Sequence, residues 1–234
     1  MKRLLLAMAV MGSVPGLVAR ADTIGETDTF HLTADGCTGG CGTGSTDFGT
    51  IVLTYTGTGV TVLETLNSPS KFVESAGDSL AFILPQSSLT ITGLTAGFGV
   101  VGGTNSAGTW TVSSGSLHEP PFGNFAYAVT CGGISCGPGS STTNSGPLSF
   151  TIAGVTLEDF TGVSSATYGN IFFSSDIIGP HLNSDGKGRT GDVGAGAGTI
   201  QFSNPPDTPE PSSLVLLGTG ALGLAGAVRR KFRS

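Results

Sequence analysis

Charge is scarce in this chain, and basic charge is scarcest. Only 11% of the 234 residues are charged, ten basic against sixteen acidic. Seven of the ten basic residues lie at the ends: Lys2, Arg3 and Arg20 at one, Arg229, Arg230, Lys231 and Arg233 at the other. Between Asp22 and Thr208 only Lys71, Lys187 and Arg189 remain against fifteen acidic residues, a formal charge of −12. Nucleic-acid affinity comes from Lys and Arg on phosphates, so this body excludes a nucleic-acid partner. The same deficit argues against anionic lipid surfaces. Strong helix formers are also thin. Gly, Thr and Ser fill 39, 30 and 26 positions, and Gly and Thr are poor in helices. The glycines lack the three-residue period of collagen. No repeat of fixed period points to a solenoid. A hydrophobic fraction of 38% excludes charge-rich disorder.

What is present is a series of short strand-like segments. Residues 50–56 read Thr-Ile-Val-Leu-Thr-Tyr-Thr, and 60–66 follow across Gly57-Thr58-Gly59, a hairpin signal. Segments 80–84, 89–94, 109–113, 124–130, 148–153 and 170–174 continue the series. Leu148, Phe150 and Ile152 alternate with Ser149 and Thr151, and Phe125, Tyr127 and Val129 repeat the pattern. Period two with one polar face means antiparallel sheets over a core. The expected fold is all-β: a single antiparallel β-sandwich or jelly-roll-like domain over residues 22–186. Residues 155–160 offer at most a turn or two of helix. The Gly/Ala/Pro-rich stretch 187–208 reads as a linker with one edge strand near 199–202.

Both ends read as processing signals. Residues 1–21 join Lys2 and Arg3 to a short apolar run and the small-x-small triplet Ala19-Arg20-Ala21 before Asp22. That is the pattern of a secretory signal peptide, handled by the Sec translocon and signal peptidase. At the other end Pro209-Glu210-Pro211 precedes an uncharged, mostly apolar run through Val228, then Arg229, Arg230, Lys231 and Arg233. Seventeen residues, 212–228, span about 25 Å as a helix, the lower limit for a bilayer. The basic cluster belongs on the cytoplasmic side.

Residues 209–234 resemble the PEP-CTERM sorting tail of exosortase substrates. The resemblance rests on Pro-Glu-Pro, a short glycine-containing apolar helix and a terminal Arg cluster, in that order. It implies recognition at Pro209, Glu210 and Pro211 by an exosortase-like membrane protease and removal of the helix and basic tail. It also implies a Gram-negative bacterium with an exopolysaccharide matrix. The chain would cross the inner membrane, be anchored transiently, and pass to the cell surface or extracellular matrix. Segments of the body are similar to other PEP-CTERM proteins, a likeness that carries no activity.

Cys37/Cys41 and Cys131/Cys136 form two close pairs, each within a Gly-rich loop. Four cysteines allow three connectivities. An exported chain meets an oxidising compartment, which favours two local disulfides. The rival is a zinc site using all four thiolates, whose spacing rule these pairs also satisfy.

Catalytic patterns are sparse. Only His31, His118 and His181 are available as imidazole bases. Gly133-Ile134-Ser135-Cys136-Gly137 has the form of a nucleophile elbow, but Gly137-Pro138-Gly139 forbids the helix that must follow. Glu158-Asp159 are adjacent, whereas glycoside hydrolysis needs carboxylates at a set separation. Glu64 and Glu74 read as solvated strand residues. No phosphate-binding Gly-x-x-x-x-Gly-Lys-Ser/Thr occurs. Residues 181–192 read as a twelve-residue calcium loop, with Asn183, Asp185 and Asp192 as ligands and Gly186 at the sharp turn. Apart from the zinc alternative at the cysteines, calcium here is the candidate ligand, and no other cofactor is expected. The pairs Thr54/Thr56, Thr90/Thr92 and Thr109/Thr111 read as solvent-facing strand positions. Trp110 reads as a half-buried strand residue rather than a sugar-stacking platform. The expected function is that of an exported, non-catalytic surface or matrix protein. A calcium- or glycan-binding module and a secreted hydrolase with a spatially assembled site are the alternatives.

Overall fold

The computed structural model describes residues 22–196, apart from 76, 102–107, 112–116, 132–135, 137–141 and 165–169, together with a strand at 201–203. The predicted signal peptide (1–21) and sorting segment (209–234) lie outside the described residues. Strands dominate. In chain order they are β1 (Thr27–His31), β2 (Ala34–Asp35), β3 (Gly49–Tyr55), β4 (Gly59–Leu66), β5 (Lys71–Phe72), β6 (Leu80–Phe82), β7 (Ser88–Thr92) and β8 (Gly99–Val100). There follow β9 (Gly108–Thr111), β10 (Leu117–Glu119), β11 (Gly123–Phe125), β12 (Tyr127–Thr130), β13 (Leu148–Ala153), β14 (Ile171–Leu182), β15 (Gly188–Gly196) and β16 (Gln201–Ser203). One 3-10 turn, Leu157–Asp159, is capped by Thr156 and Asp159. It is the short helical element expected near 155–160.

Every strand pairing is antiparallel. The first sheet runs β16-β1-β3-β4-β13-β7-β9, and the second runs β2-β15-β14-β6-β12-β8 with β5 also on β14. Period-two patterning builds the first sheet: Val60, Val62 and Leu66 of β4 and Leu148, Phe150 and Ile152 of β13 are buried on its inner face. They meet Leu80, Phe82, Phe173 and Ile177 of the second sheet in one core. Phe82 lies among the rings of Tyr127, Phe150, Phe160 and Phe173, with centroids 5.9–6.2 Å away.

A second, smaller core lies on the other face of the second sheet. Ala81, Ala128 and Ile171 of that sheet pack against Phe122 and Phe125, which the β10–β11 hairpin lays over them. Segment 124–130, expected as one strand, is therefore two, broken at Ala126. Phe125 enters the outer core while Tyr127 and Val129 enter the main one.

The stretch expected as a linker is corrected as well. Residues 188–196 form β15, laddered to β14 along its length, with Val193 and Ala195 fully buried. Small residues fit because both faces are covered. A Cβ at Gly194 would meet Phe122, and one at Gly188 would meet the Gly179 carbonyl. The edge strand expected near 199–202 is β16, on β1.

Candidate functional site

Four carboxylates gather beneath the β10–β11 hairpin, beside the outer core. Asp176 of β14 and Asp192 of β15 are directly opposite in the ladder and share the sheet's outer face. Both are fully buried, although like charges in direct opposition destabilise a strand pair. Glu119, at the end of β10, comes down onto them and is 1% exposed. Asp78 approaches from the loop before β6 and is half-buried.

These four carboxylates are treated unequally. Asp176 accepts from Ser75 N, from Ser75 Oγ at 2.6 Å and from Gly77 N at 3.3 Å. Glu119 Oε2 accepts from Asp78 N at 2.9 Å. Neither oxygen of Asp192 has a hydrogen-bond partner. Gly77 is required here by close approach. A Cβ at that position would fall against Glu119 Oε2 and Asp192 Oδ1, which therefore face one another across a bare stretch of backbone.

Burial first, then the charges of Asp176 and Asp78, push Asp192 up to about 8. Burial likewise raises Glu119, reinforced by the Asp192 charge. Asp78 is raised by burial and by the Asp176 and Glu74 charges, against a hydrogen bond with Glu119 that lowers it. The charges that perturb these three carboxyls are all acidic. Lys71 and Lys187 are exposed, and Arg189 donates to Gly39 O at the disulfide loop.

The residues expected to form a calcium loop are separated. Asn183 and Asp185 sit at the exposed tip of the β14–β15 hairpin, where Gly186 N donates to Asn183 O and Lys187 N to Asp185 Oδ1. Asp192 lies four residues beyond Gly188 along β15, about 13 Å at strand rise. A twelve-residue loop does not form because Asn-Ser-Asp-Gly closes a tight turn instead. Asp192 is the one member of that set within the carboxylate cluster.

Both local disulfides are present, Cys37–Cys41 and Cys131–Cys136, so the cysteines do not form a zinc site. Asp35 organises the first loop. Its Oδ1 accepts from Cys37 N and Cys41 N, and its Oδ2 from Gly42 N, at 3.0–3.1 Å. The sulfurs beside Asp35 are spent in the disulfide, so this trio is a structural knot rather than a metal centre.

The histidines are apart. His31 Nδ1 meets Asp47 Oδ2 at 2.8 Å, His118 Nδ1 meets Asn124 Oδ1 at 3.1 Å, and His181 Nδ1 meets Gly40 O at 3.2 Å. Ser135 lies outside the described residues. Trp110 is on β9 opposite Leu89. Asp159 caps the 3-10 turn beside Glu158. A cleft of about 390 Å³ between Pro69, Ile178 and Leu182 has Lys71 as its only titratable lining residue among the described residues.

Glu64 is corrected from a solvated to a core residue. It occupies an inward position of β4 and is 0% exposed. Burial holds its carboxyl well above the usual range. Ser175 faces it, with the hydroxyl proton donated to Ser79 O at 2.8 Å.

The outer face of the first sheet carries a row of hydroxyls that the Thr-x-Thr pairs only hint at. The register aligns Thr27, Thr54, Thr61, Thr151 and Thr92 across five strands, with Thr61 and Thr151 hydrogen-bonded at 2.9 Å.

Asp78, Glu119 and Asp176 escape the sequence reading because they are far apart in the chain. The available signal is an acid within a buried strand: Asp176 in Phe-Phe-Ser-Ser-Asp-Ile-Ile, and Asp192 before Val193.

Among the described residues no helix is long and apolar enough to cross a membrane. The apolar run 212–228 lies outside them. No curated protein and no solved structure matches the chain. Residues 207–231 match the family model of the PEP-CTERM protein-sorting motif. The match spans Pro209, Glu210 and Pro211, the apolar run, and Arg229, Arg230 and Lys231, ending two residues before Arg233. The chain thus carries a PEP-CTERM protein-sorting motif in its C-terminal segment.

Proposed function

We propose that the chain is an exported, non-catalytic protein of the cell surface or extracellular matrix of a Gram-negative bacterium, released by exosortase-type processing. The sorting motif at 207–231 carries this reading. In it, residues 1–21 serve the Sec translocon and signal peptidase, and cleavage after Ala21 leaves Asp22 as the first residue. Asp22 Oδ2 accepts from Leu157 N at 2.7 Å, which ties that end to the body. The apolar run 212–228 then holds the chain in the membrane, with Arg229, Arg230, Lys231 and Arg233 inside, until cleavage near Pro209-Glu210-Pro211.

The body suits a structural role as a jelly-roll-like β-sandwich. Among the described residues the three histidines are engaged separately. Of the carboxylates that gather, Glu119, Asp176 and Asp192 are buried beneath a hairpin, which supports a non-catalytic reading. The threonine row supports a second reading, contact with a neutral matrix polysaccharide. Aligned hydroxyls match sugar hydroxyls as donors and acceptors, and an acidic body disfavours polyanions.

Glu210→Ala is expected to block processing. The unprocessed precursor should accumulate in the inner-membrane fraction and the surface form should fall at least tenfold. Quantitative immunoblotting of fractionated cells measures this. An unchanged surface yield would refute the role given to the motif.

A further inference from the structure

We propose that Asp78, Glu119, Asp176 and Asp192 bind one calcium ion, which fastens the β10–β11 hairpin to β14 and β15. The inference rests on the buried, unpartnered carboxylate of Asp192 and its approach to Glu119, and stands apart from the sorting reading; the oxygens of the four residues do not yet converge to coordination distance. Asp192 carries it. Its carboxylate is fully buried, both oxygens lack a hydrogen-bond partner, and Oδ1 faces Glu119 Oε2 across Gly77. A buried charge in that state is strongly unfavourable unless a cation or a proton neutralises it. Asp176, directly opposite, is held in place by Ser75 and Gly77 and adds a second negative charge.

The donor set selects the ion. All four side chains offer oxygen and none offers nitrogen or sulfur, which disfavours zinc and the softer transition metals. Calcium accepts six to eight oxygens at irregular angles, including carboxylates bound through one or two oxygens. Magnesium demands a near-ideal octahedron and keeps its waters, which suits a site closed by a hairpin poorly. Closing the shell requires side-chain rotation, and no hydrogen bond restrains the Asp192 oxygens against it. Asp78 is half-buried, so the cluster is not sealed on its side.

The ion would act as a staple between elements distant in sequence. Glu119 comes from the β10–β11 hairpin, whereas Asp78 is tied to β14 by its carbonyl, which accepts from Asp176 N at 2.8 Å. Modules of this kind that work outside the cell bind calcium at about 0.1–1 mM.

The test uses the full-length chain in mild detergent, stripped with chelator and then titrated with calcium chloride at pH 7.5. One site per chain is expected by calorimetry. About 10 mM calcium should raise the melting midpoint by roughly 3–10 °C. At pH 5 protons compete for the same oxygens, so the shift should shrink. Asp192→Asn should abolish both the heat and the shift, and Glu119→Gln should weaken affinity at least tenfold. Asp185→Asn, at the hairpin tip, should change neither. Absence of calcium binding at 10 mM overturns the proposal. So does an Asp192→Asn chain that binds with the parent stoichiometry and affinity, or a shift equally large at pH 5. Should Asp192→Asn fail to fold, the parent stoichiometry and the Glu119→Gln titration decide.

Discussion

Phe82→Ala is expected to lower the unfolding free energy by about 4 kcal/mol, the range for deleting a fully buried phenylalanine. Phe82 is 1% exposed at the centre of the second sheet. Its ring lies among Tyr127 and Phe173 of its own sheet, Phe150 of the first sheet and Phe160 from the segment after the 3-10 turn. Truncation would therefore open a cavity where both layers and their connection meet. Such a site collapses poorly, because its walls are ladder strands fixed on either side. Domains of this kind hold only about 5–15 kcal/mol in total, so the variant should lose a large share of it. Urea denaturation of parent and variant measures the difference. Ile24→Ala, at a position 78% exposed, should stay within about 0.5 kcal/mol of the parent. A loss below about 1 kcal/mol at Phe82 would contradict the packing described.

The chain in chelator should be more stable at pH 5 than at pH 8, the reverse of ordinary acid denaturation. Glu64 is the main cause in the core. Its folded-state value lies well above the ordinary 4.5 because burial disfavours the charge. Its strand neighbours in register are Ile51 and Leu148, both apolar, and Ser175 is the polar group facing it. A carboxyl raised in this way binds its proton more tightly when folded. The stability it contributes is present in full below the unfolded value and is lost as pH rises through the folded one. Each unit of pH within that window removes up to about 1.4 kcal/mol per group. Asp192, pushed up to about 8, acts in the same direction when no cation is bound. Glu64→Gln keeps the shape and removes the titration, so the difference between pH 5 and pH 8 should shrink. Glu64→Leu should raise stability at pH 8 by about 1–3 kcal/mol, as replacing a buried charge by an apolar side chain often does. A flat parent profile from pH 5 to pH 8 in chelator would contradict the burial of an ionisable Glu64.

The strands were legible where burial is one-sided. Residues 148–153 and 60–66 alternate cleanly, and β13 and β4 bury the positions that alternation assigns to the core. Legibility failed where the chain is covered on both faces. Gly188–Gly196 lacks alternation because Phe122 presses on one side and the main core on the other, so small side chains mimicked a linker. It failed again at Ala126, where consecutive aromatics feed two different cores. Glu64 was misread because its position follows the core period while its residue type does not. The carboxylate cluster was only partly readable, through Asp192. Its other members are joined by strand register and by a hairpin fold-over, which local pattern cannot express. The threonine row depends on register across five strands for the same reason. The cysteine pairs and the sorting tail were legible because each is local in sequence.

The central claim concerns the fate of the two ends, and the C-terminus of the mature surface protein tests it most directly. Intact-mass and C-terminal peptide mass spectrometry of the surface fraction should find a chain starting at Asp22 and ending at or near Pro209-Glu210-Pro211. A surface protein that retains Arg229 to Ser234 would contradict the account.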